Sequence, residues 1–426
     1  MAESISPTRR QLLATALVLG AVNALPSELL AAPAASGIRP FHIEIQQAQI
    51  DDLRRRLAAT RWPEKESVED QSQGVRLAKI QPLVRYWATD YDWRKAEAKL
   101  NALPQFITEI DGLDIQFAHI RSRHPNAMPL IMTHGWPGSI FELLKIVGPL
   151  TDPTAHGGRE EDAFDLVLPT YPGYGFSGKP KNGDWAPPHV ARAWHELMQR
   201  LGYKRYVAQG GDWGAIISEI MAIQAPAGLL GVHTNMPGTV PPDVVQRVRT
   251  RQPVPEDFSA EERAAYASLD VFYNHGFGYA EMMNTRPQTL GYSLADTPVG
   301  MAAFFYEKFA TWTYSGGEPE NVLTRDEMLD DITLYWLTNT GTSSSRSYWD
   351  AAQLGGGPFT VREIPTVPIA VTVFPGEIYQ APKSWTKRAY QNLIHFSVVK
   401  DGGHLAAWEQ PELLAQELRT AFKPLR

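Results

Sequence analysis

Apolar residues along this chain follow two alternating rhythms. Short apolar runs occur at 129–133 (PLIMT), 164–170 (FDLVLPT), 205–209 (RYVAQ), 367–374 (VPIAVTVF) and 396–400 (FSVVK). Between them lie stretches with an apolar residue every three or four positions, the helical period. Strands alternating with helices predict an α/β fold, a mostly parallel sheet covered on both faces. Upstream, ITEIDGLDIQFAHI alternates around an Asp-Gly pair, which predicts a hairpin turning at Asp111 and Gly112. Residues 38 to about 105 read as helical. In IEIQQAQIDDLRRRLAATRWP the period places Leu53, Leu57 and Trp62 on one face, and Pro63 stops the run.

The strand–helix alternation breaks over 239–361, where PVGMAAFFYEKFATW and LDDITLYWLTNT predict helices rich in aromatic residues. An insertion of that length between two strands of one sheet is expected to form a lid over the sheet's end. The expected organisation is an extension over 37–110, a core of 111–238 and 362–426, and a helical lid over 239–361. The first 36 residues differ from everything after them. SPTRRQLLATALVLGAVNALPSELLAAPAAS sets Arg9 and Arg10 before an apolar run and ends in small residues. That pattern predicts an export signal of twin-arginine type, and hence a periplasmic or secreted protein. An amphipathic N-terminal helix or a retained anchor is the alternative. The run is short and interrupted for a membrane span, so none is expected in the mature chain.

Composition removes several classes of function. A net charge of −7 over 426 residues, with no basic stripe, gives no footprint for nucleic acid. The absence of cysteine excludes disulfides, thiolate metal sites and cysteine nucleophiles. The chemistry must come from other residues.

QGGDWGAII, residues 209–217, stands where a strand hands over to a helix. Gly210 and Gly214 flank Asp212 in a glycine-x-nucleophile-x-glycine pattern, whose tight, strained turn needs small residues. A carboxylate in that place can form a covalent intermediate, and the helix N-terminus favours its charge. The plain alternative is a helix cap. HGWPGS follows the PLIMT run, and the amides of its Trp136 and of Trp213, the residue just after Asp212, are the candidate oxyanion donors. As a turn alone, glycine and proline would account for the segment equally well. Glu377 follows the 367–374 run and His404 follows the last one. The order Asp212, Glu377, His404 matches nucleophile, acid and histidine of the α/β-hydrolases, each expected at a strand's carboxyl end.

The chain resembles the microsomal-type epoxide hydrolases of the α/β-hydrolase fold. The likeness rests on HGWPGS, YPGYGFS and GGDWG, and on RPFHIEIQQAQIDDLRRRLAATRWPE, which is similar to that family's N-terminal segment. It covers nearly everything after the export segment. It implies Asp212 as nucleophile, His404 as base and Glu377 as the acid that orients it. The family also uses two lid tyrosines as acids. Eight of the chain's sixteen tyrosines fall within 239–361, so abundance selects none of them. The contexts GFGYAEMMNTRP and GTSSSRSYWD nominate Tyr279 and Tyr348, with aromatic packing as the alternative role for each. The implied substrate is a small apolar epoxide, the product a vicinal diol, and no metal or organic cofactor is required. A haloalkane dehalogenase would share the aspartate but need halide donors instead of tyrosines. A catalytically silent binder of apolar ligands is the other alternative.

Overall fold

The computed structural model describes residues 37–426, so the predicted export segment lies outside the described residues. Nine strands among those residues form one sheet: β1 (Arg39–Pro40), β2 (Gln105–Ile110), β3 (Leu113–Ile120), β4 (Met128–Thr133), β5 (Phe164–Pro169), β6 (Tyr206–Gly210), β7 (Leu229–Thr234), β8 (Ile369–Val373) and β9 (Leu393–Val398). Their order across the sheet is β1-β2-β3-β5-β4-β6-β7-β8-β9. The pairings from β1 to β5 are antiparallel, and those from β5 through β9 are parallel. This is the α/β-hydrolase fold.

The hairpin turns where Asp-Gly predicts it. Ile110 pairs with Leu113, and Asp111 and Gly112 take φ of 49° and 78°, the left-handed values a two-residue hairpin loop requires. Two strands depart from the pattern. β7 was not anticipated, because Gly231 and His233 interrupt its apolar run; His233 is fully buried, and its Nε2 meets Thr372 Oγ1 at 2.9 Å. β9 begins at Leu393, three residues before the expected run, because this edge strand is only partly buried and its alternation is weak.

The extension folds into two strands, β1 and β2, and between them three helices, Gln47–Ala58, Leu77–Thr89 and Trp93–Asn101. Leu53 and Leu57 are buried as expected, and Trp62 packs partly buried. The first helix ends at Ala58, well before Pro63, where the Thr60 hydroxyl donates to the Leu57 carbonyl (2.7 Å) that the helix leaves open. Between β7 and β8 the chain makes the helices of the lid, from Pro242–Arg249 to Gly341–Ala352. Reciprocal capping boxes start two of them, Ser259 with Glu262 and Thr324 with Glu327. The extension fastens the lid in place. Tyr91 donates to Asp330 (2.9 Å), Lys99 pairs with the same carboxylate (2.7 Å), and Tyr86 donates to Asp326 (2.7 Å).

Candidate active site

The site stands at the carboxyl ends of β4, β6, β8 and β9. At the end of β6 the chain turns directly into the helix Asp212–Gln224. A Cβ on Gly214 would lie 2.0 Å from the Thr133 carbonyl oxygen, and one on Gly210 would lie 2.1 Å from Gly214, so neither position admits a side chain. Asp212 sits at φ 49°, a left-handed conformation that a non-glycine residue holds only under strain. Gly211, not Asp212, is the residue that caps the helix. The Asp212 carboxylate instead accepts the Trp136 amide at Oδ1 (2.7 Å). That contact answers the cap alternative: the strained turn aims the carboxylate away from its own helix and at the loop after β4.

The loop itself is held from several sides. His134 accepts the Tyr171 amide at Nε2 (3.1 Å), and the Glu142 carboxyl accepts the Gly135 amide (3.2 Å). Burial pushes Glu142 up to about 8, so it is a neutral acid at neutral pH. The Trp213 amide lies in the first helical turn, whose N–H groups have no partner within the helix.

Glu377 follows β8 and His404 follows β9, and a backbone bond from the Gly376 amide to the Gly402 carbonyl (3.0 Å) ties the two loops side by side. His404 Nδ1 meets Glu377 Oε1 at 2.6 Å, with both side chains fully buried. The same Oε1 accepts the Ile378 amide (2.8 Å), and Oε2 accepts Asn235 Nδ2 (3.2 Å). Asn235 was missed along with β7, the strand it follows. His404 Nε2 lies 3.3 Å from Asp212 Oδ2, a charge contact without hydrogen-bond alignment. Burial alone would push His404 down. The Glu377 carboxylate, then Asp212, outweigh it and hold the imidazole well above its usual range, as a cation between two anions.

Both lid tyrosines reach this centre. The Tyr279 ring stacks on Trp136 (centroids 5.2 Å apart, 6° between planes), and Tyr348 stands edge-on to Trp213 (4.8 Å, 87°). The two tyrosine rings are 5.9 Å apart. Burial first, and then neighbouring groups that include the Asp212 carboxylate, raise both phenols well above their usual value, so each is a neutral donor. All seven residues singled out in the sequence therefore meet around one carboxylate. Among the described residues no group of three or more His, Cys, Asp or Glu could hold a metal ion, and no helix is long and apolar enough to cross a membrane.

Residues 38–143 match the model of the epoxide hydrolase N terminus, and 128–316 match that of the α/β-hydrolase fold. A Stigmatella aurantiaca relative, provisionally named an epoxide hydrolase, is 53% identical over 92% of this chain and 86% of its own. Epoxide hydrolase 1 of Sus scrofa is 36% identical over 92% of this chain and 90% of its own. The chain belongs to the epoxide hydrolase family. Its reaction is the hydrolysis of an epoxide to a vicinal diol. The fold agrees with that assignment. The crystal structure of juvenile hormone epoxide hydrolase from Bombyx mori superposes with a TM-score of 0.80 at 30% identity, covering 91% of this chain and 95% of that one. Aspergillus niger epoxide hydrolase gives 0.79 at 30% identity, covering 91% and 96%. Both alternatives, a dehalogenase and a silent binder, give way to the epoxide.

Proposed function

We propose that this epoxide hydrolase works through a covalent ester on Asp212. The carboxylate oxygen Oδ2 attacks a ring carbon, the C–O bond of the epoxide breaks, and Tyr279 and Tyr348 give the leaving oxygen a proton. Esterification removes the charge on Asp212, and with it one of the influences that held both the phenols and His404 high. The tyrosines become better acids as the alkoxide forms. His404 becomes readier to part with its proton, which restores the phenol. Neutral His404, held by Glu377, then takes a proton from water as it attacks the ester carbonyl. Collapse of that adduct frees the diol and leaves Asp212 ionised and His404 protonated, as at the start.

The observation that carries this reading is the division of labour on one carboxylate. Oδ1 is pinned by the Trp136 amide at 2.7 Å while Oδ2 faces His404 at 3.3 Å. Oδ1 then becomes the ester's carbonyl oxygen with a donor already aimed at it, which places stabilisation where charge develops; each such donor contributes roughly 10²-fold or more. The test is a single turnover in ¹⁸O-water with enzyme in excess. The first diol is expected to carry no ¹⁸O, because its new oxygen comes from Asp212, and the label should appear in the peptide containing that residue. Label in the first diol would mean that water opens the ring directly.

The substrate class proposed is an apolar epoxide with alkyl or aryl arms. Its support is a cavity of about 410 Å³ running from Asp212 past Ile216, Ile220, Met236 and Phe277 to Leu354. Aryl epoxides arise when aromatic hydrocarbons are oxygenated, so the reading extends to their detoxification or catabolism. The proposed address is export, on the arginine pair and small residues before position 37. The mature chain is expected to begin near Ala35, and N-terminal sequencing of exported protein checks it; a retained Met1 would remove the signal.

A further inference from the structure

Among the described residues Lys308 is the one buried lysine or arginine, and the mechanism leaves its charge unused. It lies on the lid helix Pro298–Trp312, 4% exposed, with its ammonium 4.2 Å from the centroid of the Tyr279 ring and 5.4 Å from that of Trp312. Glu307, the neighbouring residue and partly exposed, pairs with it at 2.5 Å. A lysine is seldom buried to this degree, and burying one costs stability unless something gains from its charge. We infer that Lys308 is a positioning residue for ring opening, its ammonium stabilising the phenolate that Tyr279 becomes when it gives up its proton.

The physics is specific to that step. An ammonium over a ring is attracted by the ring's π face, and more strongly in a dry site. When the phenol O–H bond breaks and its proton passes to the epoxide oxygen, the phenolate spreads negative charge into the ring. The attraction therefore grows between ground state and transition state, which is what accelerates a reaction. Burial first, then Asp212 and, more weakly, Glu307 raise Tyr279 and so work against this step, while the neighbouring Tyr348 hydroxyl lowers it. Burial pulls Lys308 down, and Glu307 supports its charged form. The ammonium thus contacts both the Glu307 carboxylate and the ring of the acid that this carboxylate impedes.

The inference rests on the proposed acid role of Tyr279, and the experiment separates the two. Alkylation and ester hydrolysis are timed separately in pre-steady-state single turnovers, for Lys308→Met, Lys308→Arg and Glu307→Gln, each alone and with Tyr279→Phe. Methionine keeps the length and apolar stem of lysine and leaves Glu307 able to reach solvent. Lys308→Met is expected to slow alkylation about tenfold and leave ester hydrolysis unchanged. Lys308→Arg should restore most of the loss, and Glu307→Gln should leave alkylation as fast or faster. In the Tyr279→Phe background Lys308→Met should have no further effect. An equal slowing in both backgrounds, or a loss that arginine does not restore, would make Lys308 a packing residue and overturn the proposal. If Tyr279→Phe slows alkylation but Lys308→Met does not, the acid role survives and only the lysine inference falls. If Tyr279→Phe changes nothing, the acid role itself falls.

Discussion

A His404→Gln protein mixed with an epoxide is expected to gain one substrate mass and then stop. In the proposed mechanism alkylation needs the Asp212 carboxylate and the two phenols, and all three remain. Hydrolysis needs a base within reach of a water beside the ester, and glutamine is not one. Loss of a general base typically costs ~10²–10⁴-fold, so the ester should persist long enough for intact-mass analysis and peptide mapping to Asp212. The arrest is also local in space. His404 Nδ1 is spent on Glu377 and its backbone amide on the Trp312 carbonyl (2.9 Å), so Nε2 is its one free polar atom and it faces Asp212. Asp212→Ala should fail differently, with no adduct and a loss on the order of 10⁶-fold, the scale on which removal of a nucleophile abolishes covalent catalysis. Glu377→Gln should fall between the two, since imidazole remains but loses the charge that sets its tautomer and proton affinity. A His404→Gln protein that binds epoxide and never gains mass would mean that histidine-activated water opens the ring directly.

How much of this was legible in the sequence depended on whether a role is fixed locally. The elbow was legible because a strand-to-helix turn this tight excludes any side chain at Gly210 and Gly214, and that exclusion is written in the residues themselves. Glu377 and His404 were legible through order, because a parallel sheet brings successive carboxyl ends to one edge. β7 was not, since Gly231 and His233 break its apolar run, and the Thr372 hydroxyl that meets the buried His233 Nε2 comes from more than a hundred residues away. Asn235 was lost with it. Glu142 and Lys308 are invisible for a related reason. A charged residue in a helical pattern reads as solvent-facing, and what buries these two is the approach of the HGWPGS loop and of Tyr279. The lid tyrosines were chosen by the resemblance, because eight tyrosines in an aromatic insertion carry no local signal that separates an acid from a packing ring.

The double change Tyr279→Phe with Tyr348→Phe is expected to cost far more than either change alone. Each single variant leaves one phenol to meet the alkoxide, so alkylation should slow by roughly 10- to 100-fold, a fraction of what proton transfer contributes in full. With both hydroxyls gone the leaving oxygen faces only aromatic rings, and the whole contribution, up to about 10⁴-fold, should be lost from alkylation. Folding is not at stake, because phenylalanine keeps the stack of residue 279 on Trp136 and the edge contact of residue 348 with Trp213. The measurement is the single-turnover rate of ester formation, with ester breakdown timed separately as the internal control. Breakdown should change less, since water attack on the ester draws directly on His404 and the Trp136 amide, and the phenols enter it only through the proton that His404 returns to them. A double variant that alkylates at the unaltered rate would return both tyrosines to packing and leave the alkoxide's proton to come from another donor. His404, a cation 3.3 Å from the reacting carboxylate, would be the first to examine.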